Sequence, residues 1–421
     1  MRIAIYHNVP SGGAKRVAYE HCKRLVAAGH EVTVFQPSTA DLAFCDLGQV
    51  ATRQVTLPLS MGHLPASAPT KLRMAIYHAK LARGYRNLAR LQAQIARQID
   101  EEGFDLLYAH HDMYETAPSL LRLTRLPSVY FCQEPSRGVF EAPLVAEGHP
   151  PMCARNFTHM VLKSLFGNPT GEAMLRFRRM NERINTLAAT LVLANSTYSC
   201  ESILRAHGCV ARRCTLGVDV DFFTPGEEKQ DYVLSVGAFD PLKGFRFLIR
   251  ALGCVPSGSR LPLIIAGDRG VAGEEGRLHE LAREYGVELT TRPAVKDQDL
   301  RDLYRKARLF LYAPYIEPLG LTPLEAMACG TPVLGVREGG VRETVVDGHC
   351  GRLADRNEEQ YAQIMAELLA DGGQTDALGQ RAVQYVRDNW TWDRSVEELL
   401  AAFALAREGR PSCAPQPAGP A

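Results

Sequence analysis

The sequence predicts an α/β protein of two domains, each built on a doubly wound parallel sheet. Short apolar runs alternate with helix-like segments along the chain, which is the pattern of parallel strands joined by crossover helices. This alternation begins at residue 2 and restarts near residue 230, after a polar, turn-rich stretch. A chain of 421 residues is also too long for one ordinary core, so two domains of roughly 200 residues each are expected.

The first half of the chain opens with its clearest unit. Residues 2–7 form an apolar run, a loop containing Gly12 and Gly13 follows, and residues 14–28 have helical periodicity. Gly29 is a suitable stop for that helix. The other strands of this half are expected at 31–35, 105–109, 127–132 and 190–194.

The second half repeats the alternation after a linker at residues 217–229. Thr322 is a good N-cap, Pro323 suits the first helical position and Gly330 can end the helix that they begin. The strands of this half are expected at 232–238, 261–267, 309–313 and 332–336.

Composition indicates a soluble globular protein. Formal net charge is +1 and apolar residues make up 46% of the chain, so there is no global attraction to nucleic acid. No apolar run reaches the about 18 residues that a membrane span needs, and residue 2 already enters a strand, which leaves no room for a signal peptide. The 11 cysteines contain no CxxC pair, so reduced thiols in a cytoplasmic protein are expected.

Two carboxylates, Glu317 and Glu325, stand eight residues apart on either side of a turn and a helix start. The free amides of Leu321 and Thr322 would favour a phosphate, and a carboxylate on each side could accept hydrogen bonds from sugar hydroxyls. The pattern therefore predicts a sugar-nucleotide site. An alternative stays open for Glu325, because Thr322-Pro-Leu-Glu325 is also a capping box.

Two further segments place glycines and a cation after strands. Gly12 and Gly13 would allow a ligand to approach the backbone closely, although a paired glycine is also common in tight turns. Gly237 ends a strand, and Lys243 stands at the next helix start, where a bound diphosphate would offset the unfavourable helix dipole. Neither segment fits G-x-G-x-x-G or a P-loop, and no Asp-x-Asp or spaced His/Cys cluster predicts a metal site.

Taken together, these motifs resemble those of the retaining glycosyltransferases of family 4, which have the GT-B fold. The resemblance runs from residue 2 to about residue 400 and is carried by Glu-Pro-Leu-Gly-Leu, Leu-Glu-Ala-Met-Ala-Cys-Gly-Thr-Pro-Val and Gly-Gly-Val-Arg-Glu, in that order. It implies an acceptor-side domain at 1–218, a nucleotide-sugar domain at 219–391 and a helix at about 392–407 that returns to the first domain. Residues 409–421 are expected to be a disordered tail.

The resemblance also implies roles for residues of this sequence. Glu317 would hold donor-sugar hydroxyls, Glu325 the ribose, and Lys243 the leaving diphosphate. The expected catalytic residues are Glu317, Lys243 and Gln133. The expected donor-binding residues are Gly12, Gly13, Gly237, Lys243, Glu317, Gly320, Leu321, Thr322 and Glu325.

Two positions depart from the family pattern. Ala238 stands where an arginine commonly follows the glycine, so one of two phosphate-binding cations is missing. Gln133 stands where the family usually has histidine; an amide can hydrogen-bond a hydroxyl but cannot shuttle a proton. Glu134, Arg137 and His110 are further candidate contacts to donor or acceptor, with a surface ion pair or a structural histidine as the alternatives.

Two helical segments are basic and amphipathic. Residues 71–97 carry seven cations and no acid, and Arg176, Arg178, Arg179 and Arg183 alternate with apolar residues. The favoured interpretation is a core-packed helix with a solvated basic face. The alternative is peripheral contact with anionic lipid on the inner face of the membrane, which would bring the site to a lipid-linked acceptor.

The sequence thus predicts a cytoplasmic, metal-independent hexosyltransferase that uses no cofactor. Its expected partners are a nucleotide diphosphate sugar donor and a sugar or lipid-linked acceptor, in glycan or glycolipid biosynthesis. Three alternatives remain: a GT-B sugar phosphorylase, a silent nucleotide-sugar-binding homologue, and a dinucleotide-dependent oxidoreductase. The absent G-x-G-x-x-G is adverse to the last of these.

Overall fold

The computed structural model describes residues 1–61, 70–140, 169–226, 228–268 and 270–409, and the side chains of all these except 70–79 and 169–172. The described chain forms two parallel sheets with helices around them. Part of the expected tail, 410–421, lies outside the described residues.

The first sheet has seven strands in the order β3-β2-β1-β4-β5-β6-β7. Strand β1 pairs in parallel with both β2 and β4, so Ile3 lies between Val32 and Leu106. The chain order reverses at β1, and the carboxyl ends of β1 and β4 therefore border a crevice. The strands are β1 (Arg2–Asn8), β2 (Glu31–Pro37), β3 (Arg53–Leu57), β4 (Leu106–Asp112), β5 (Ser128–Phe131), β6 (Leu191–Ala194) and β7 (Arg212–Arg213).

The second sheet has six strands in the order β10-β9-β8-β11-β12-β13, again all parallel. Its order reverses at β8, so the carboxyl ends of β8 and β11 border the matching crevice. The strands are β8 (Gln230–Val236), β9 (Leu263–Gly267), β10 (Leu289–Pro293), β11 (Ala307–Tyr312), β12 (Val333–Val336) and β13 (Gly351–Ala354).

Helices connect the strands within each lobe. Those of the first lobe are α1 (Gly13–Ala27), α2 (Thr70–Glu102), α3 (Arg137–Phe140), α4 (Pro169–Ala188) and α5 (Thr197–His207). Those that follow are α6 (Phe245–Cys254), α7 (Glu274–Glu284), α8 (Asp297–Lys306), α9 (Leu321–Ala328), α10 (Val341–Thr344), α11 (Glu358–Ala370), α12 (Gly372–Asn389) and α13 (Trp392–Arg407).

Every strand predicted from the sequence is present, and no strand end is shifted by more than three residues. The strands that the sequence analysis missed are β3, β7, β10 and β13, which are the outermost strands of the two sheets. In β3, β7 and β10 most side chains are exposed or half-buried. Such strands have no apolar run, because they do not bury both faces as central parallel strands do.

Helix α13 leaves the second lobe and packs on α1 and β5 of the first. Its Trp392 and Phe403 side chains are buried, and the Phe403 ring contacts Tyr108 of β4 with centroids 5.3 Å apart. The first sheet ends at residue 213 and the second begins at 230, so we propose to divide the chain at 218/219 with α13 added to the first lobe.

Cysteine chemistry differs from the expectation at one position. Cys209 is disulfide-bonded, whereas the sequence predicted reduced thiols throughout. Eight other cysteines in the described ranges are free. Burial raises the pKa of several of these thiols, among them Cys22, Cys214 and Cys329, to about 12, which keeps them protonated and unreactive.

Candidate functional site

A cavity of about 780 Å³ lies between the lobes, at the carboxyl ends of the strands where the order of each sheet reverses. Most of the predicted site residues line it. From the first lobe these are Gly12, Gly13, Gln133 and Glu134, and from the second Gly237, Lys243, Glu317, Gly320, Leu321, Thr322 and Glu325. Residues that are far apart in the sequence therefore line one cavity in the folded protein.

The paired glycines bring the first lobe against the helix that follows Glu317. Gly12 has a φ of 136°, which L side chains rarely adopt, and it precedes α1. A Cβ atom on Gly13 would lie 3.5 Å from the Leu321 side chain. The loop after β1 thus faces the start of α9, the place where free amides are available to an anion.

Helix α9 begins two residues earlier than predicted. Gly320 is its N-cap, with a φ of 88°, and no side chain caps the helix. Any Cβ at Gly320 would lie 2.1 Å from the Tyr312 hydroxyl, so that position requires glycine. We had expected Thr322 to be the N-cap, and this prediction is wrong. The capping-box alternative for Glu325, which required Thr322 at the N-cap, is wrong as well. The amides of Leu321 and Thr322 remain in the first turn and line the cavity.

Lys243 and Glu317 form a two-point ion pair inside the cavity. The Lys243 ammonium donates to both carboxylate oxygens of Glu317, at 3.1 and 2.9 Å. Burial alone would raise the pKa of Glu317, but Lys243 and then Arg137 hold that pKa below its usual range. Glu317 is therefore ionised at neutral pH, and each member of the pair is placed to exchange its partner for a ligand.

The Glu325 carboxylate has one polar partner from each lobe. Its Oε2 accepts a hydrogen bond from the Tyr304 hydroxyl at 2.9 Å, and its Oε1 lies 3.6 Å from Nη1 of Arg16. Burial raises the pKa of Glu325, and Arg16 and Tyr304 oppose that rise. Arg16 also reaches Asp297 at 3.2 Å. The sequence analysis did not single out Arg16, although its place in the first turn after the glycine loop was a usable signal.

Gln133 occupies the position where the family usually has histidine, and its amide faces both the cavity and the first lobe. Its Oε1 accepts from Asn195 at 3.0 Å, whereas its Nε2 has no hydrogen-bond partner among the described residues. A buried amide N–H₂ without a partner is costly and suits a position that meets a ligand hydroxyl.

Glu134 and Arg137 form an ion pair with Nε 2.6 Å from the carboxylate, and Arg137 also donates to the Tyr315 carbonyl of the second lobe at 3.2 Å. Glu134 lines the cavity, while Arg137 lies beside it. Both residues therefore lie near the proposed site. They also form the ion pair that the sequence analysis gave as the alternative to a ligand contact.

His110 does not reach the cavity. Its side chain is 1% exposed and its ring stacks on Phe131 and meets the edge of Tyr108. Burial lowers the pKa of His110 well below its usual value. Because β4 points this side chain into the core, we leave His110 out of the proposed site.

Among the described residues, the cations that line the cavity are Arg16, Lys243 and Lys296, and Ala238 lines it without contributing charge. Lys296 is exposed at its rim. Within the described ranges, no group of three or more His, Cys, Asp or Glu side chains could hold a metal ion. No helix in the same part of the chain is long and apolar enough to cross a membrane.

Two facing parallel sheets with a ligand cleft at their carboxyl ends define the GT-B class of glycosyltransferase folds. The chain belongs to the glycosyltransferase family 4 group: the profile of Glycosyltransferase Family 4 matches residues 11–222, and that of Glycosyl transferases group 1 matches residues 219–385.

Among curated relatives, the chain is 30% identical over 255 residues to a D-inositol 3-phosphate glycosyltransferase of Kribbella flavida, covering 55% of this chain and 60% of that protein. It is 32% identical over 248 residues to D-inositol 3-phosphate glycosyltransferase 2 of Catenulispora acidiphila, covering 51% and 58%. The matches thus span about three fifths of each relative's length.

Solved structures with the same fold include Anabaena Alr3699/HepE in complex with UDP and glucose, with a TM-score of 0.68, 19% identity, and coverage of 96% of this chain and 99% of that one. Sucrose-phosphate synthase from Thermosynechococcus elongatus gives a TM-score of 0.68 and 20% identity, covering 96% and 98%. At these identities the likeness concerns the fold.

Proposed function

We propose that this protein transfers a hexose from a nucleotide diphosphate sugar to an acceptor hydroxyl. One observation carries the proposal: Glu317 and Glu325 both face the interlobe cavity, on either side of the free amides that begin α9. This arrangement offers acceptors for sugar hydroxyls at both ends and an anion site between them. Family membership and the cavity's size support the same proposal.

In the proposed reaction the donor's diphosphate lies against the amides of Leu321 and Thr322. Lys243 leaves Glu317 to meet the negative charge that develops on the leaving group, and Glu317 accepts hydrogen bonds from the donor hexose. Glu325 accepts from the ribose. Fixed positive charge aimed at the leaving group lowers the barrier most in a site that excludes water.

The finer features of the proposal are retention of anomeric configuration and independence of a metal ion. Lys243 and the helix start supply the charge that a bound metal would otherwise supply. We expect transfer to continue in the presence of EDTA, and NMR of the product to give the same anomeric configuration as the donor. Loss of activity on chelation, or an inverted product, would contradict these features.

Thermal unfolding with UDP-, GDP- and ADP-sugars tests the proposal most directly. One of these donors should raise the unfolding midpoint, because a ligand at 100 times its dissociation constant stabilises a protein by about 2.7 kcal/mol. Release of the nucleoside diphosphate is then measured with a panel of acceptors that includes D-inositol 3-phosphate, the compound named for the relatives. Absence of any shift with all donors would refute the proposal.

A second candidate, a binding protein without turnover, is favoured by Ala238 and Gln133. The first removes a phosphate-binding cation from the family pattern and the second replaces an imidazole with an amide. This candidate predicts donor binding with no nucleoside diphosphate released under any acceptor. The same thermal and release measurements distinguish the two.

We further propose that the first lobe rests on anionic membrane surfaces. Along α4, four apolar side chains are exposed, namely Phe177 (44%), Met180 (59%), Ile184 (43%) and Leu187 (37%). Exposed arginines at 176, 179 and 183 accompany them. Exposed apolar side chains beside arginines suit the boundary between lipid headgroups and acyl chains. In α2, by contrast, Leu88, Leu91 and Ile95 are buried, which supports the core-packed interpretation for its described part.

Flotation with vesicles tests this surface. Recovery should be higher with vesicles containing anionic lipid than with neutral ones, and Met180→Glu should reduce it, because a carboxylate disfavours both the apolar and the anionic contact. Val346→Glu, at an exposed position of the second lobe, is the matched control. Equal recovery with both kinds of vesicle would remove the membrane proposal while leaving the transferase proposal intact.

A further inference from the structure

Arg16 is a charged residue of the first lobe that reaches into the second. It lies in the first turn of α1, where its amide bonds to the Gly12 carbonyl. Its side chain is 19% exposed, and its guanidinium lies over the Phe44 ring at 5.5 Å. The contacts to Glu325 and Asp297 both cross the cleft, so this cation is shared between the two lobes.

The Glu325 carboxylate needs such a partner. It is 6% exposed, and it contacts the Tyr304 hydroxyl through Oε2 and Arg16 through Oε1. An ionised carboxylate only accepts hydrogen bonds, whereas a protonated one also donates. Two ribose hydroxyls can donate to the ionised form, and a buried carboxylate remains ionised only when it is paired.

We infer that Arg16 is a positioning residue for the donor's nucleoside: it reaches across the cleft, pairs with the Glu325 carboxylate and aims it at the ribose hydroxyls. This inference rests on the proposed function, in which Glu325 receives the ribose. Since Arg16 belongs to the first lobe and Glu325 to the second, the nucleoside site is complete only while the lobes are close together. Donor binding and lobe approach are thereby coupled through one ion pair.

The groups around Glu325 define how its charge responds to Arg16. Tyr304 and Asp297 come from α8, Cys329 directly follows the helix that carries Glu325, and Arg16 comes from α1. Asp297 repels the Glu325 carboxylate and Arg16 touches both. Removing Arg16 leaves the two carboxylates facing each other without a cation, so the pKa of Glu325 rises further.

The experiment measures dissociation constants of UDP, GDP and ADP by calorimetry between pH 5 and pH 8.5. For whichever nucleotide the parent binds, Arg16→Gln should weaken binding about tenfold or more at pH 7, because it removes the ion-pair partner of a buried carboxylate. The pH at which affinity falls on the acid side should also move upward. Arg16→Lys should restore part of both effects.

Two further variants separate positioning from a merely structural role. Adding Asp297→Asn to Arg16→Gln should return the acid-side midpoint toward that of the parent, because one of the two facing carboxylates is gone. Lys23→Gln, an exposed charge removal on the same helix, should leave affinity and midpoint unchanged. Thermal unfolding of each variant shows that it is folded.

The outcomes are distinct. Parent-like affinity in Arg16→Gln, or weaker binding without any movement of the acid-side midpoint, overturns the inference and leaves the proposed function standing. A parent protein that binds none of the three nucleotides overturns the proposed function and the inference together.

Discussion

At the scale of single residues, the charged side chains of the site form ion pairs with each other. A bound ligand can replace one member of each pair. Lys243 is bound to Glu317, and Arg16 to Glu325, so the empty cavity holds no buried charge without a partner in these two places. In the proposed reaction, a donor molecule would bring phosphate for Lys243 and hydroxyls for the two carboxylates. Each ion pair therefore lowers the cost of the empty state without blocking the occupied one.

Lys243→Ala should reduce turnover by on the order of 10²-fold, similar to the loss of one donor from an oxyanion site. The physical reason is that the leaving diphosphate would lose its nearest cation while the helix amides remain. Steady-state release of nucleoside diphosphate measures the effect. Lys306→Ala, which removes an exposed lysine from the same lobe, is the control, and near-normal turnover in Lys243→Ala would exclude the role.

At the scale of elements, α13 is tied to the first lobe through a buried histidine. His21 of α1 bonds to the Tyr108 hydroxyl through Nδ1 and to the Ser395 hydroxyl through Nε2, both at 2.8 Å. Glu398 of α13 accepts hydrogen bonds from the backbone N–H and the side-chain hydroxyl of Thr215. These bonds fix where the last helix returns, and with it the connection between the lobes.

Ser395→Ala should lower the free energy of unfolding by about 1–3 kcal/mol, because it leaves a buried ring nitrogen of His21 without a partner. Denaturant unfolding of the parent and the variant measures the difference. Ser257→Ala, at an exposed serine, should change the free energy by less than about 0.5 kcal/mol. If the two variants behave alike, the hydrogen bond to His21 contributes nothing measurable.

At the scale of the whole molecule, several polar contacts hold the lobes together around the cavity. The first amides of α5, those of Thr197 and Tyr198, donate to the Glu343 carboxylate at 2.8 and 2.9 Å. The Ser196 hydroxyl donates to the Pro318 carbonyl at 2.6 Å. With the Arg16 contacts, these bonds place the glycine loop against α9 and set the width of the site.

Acid should destabilise the whole protein through buried histidines. Burial lowers the pKa of His7 and His111 from 6.5 to about 4 and that of His21 to about 3. The unfolded chain takes up these protons first, so stability falls as pH drops below 6.5. Glu115 and Glu182 act in the opposite direction, because burial raises the pKa of each from 4.5 to about 7. Burial also lowers the pKa of His110 and His207, so among the described residues the histidines outnumber these two carboxyls.

The measurement is the free energy of unfolding at pH 6.5 and pH 5, which should be lower at pH 5. His21→Gln keeps polar atoms but does not titrate, so it should remove up to about 1.4 kcal/mol per pH unit from this slope. His349→Gln, at an exposed histidine, should leave the slope unchanged. A parent whose stability is flat or rises between pH 6.5 and pH 5 would contradict the assignment.

The sequence by itself determined the α/β class, the central strands and several of the segments that line the interlobe cavity. Central parallel strands are buried on both faces and appear as apolar runs, and the residues after them, such as Gly12, Gly237 and Glu317, must meet at the carboxyl edges of the sheets. The edge strands β3, β7 and β10 have no such apolar run, because most of their side chains are exposed or half-buried.

Only the tertiary structure decided which partner each charge has. Gly320 rather than Thr322 caps α9, at a position where the Tyr312 hydroxyl leaves no room for a Cβ atom. His110 lies in the core although its position after a strand suggested the cleft. Arg16 contacts Glu325, which lies 309 residues further along the chain. Such contacts depend on how two lobes are placed against each other, and no local pattern of residues records that placement.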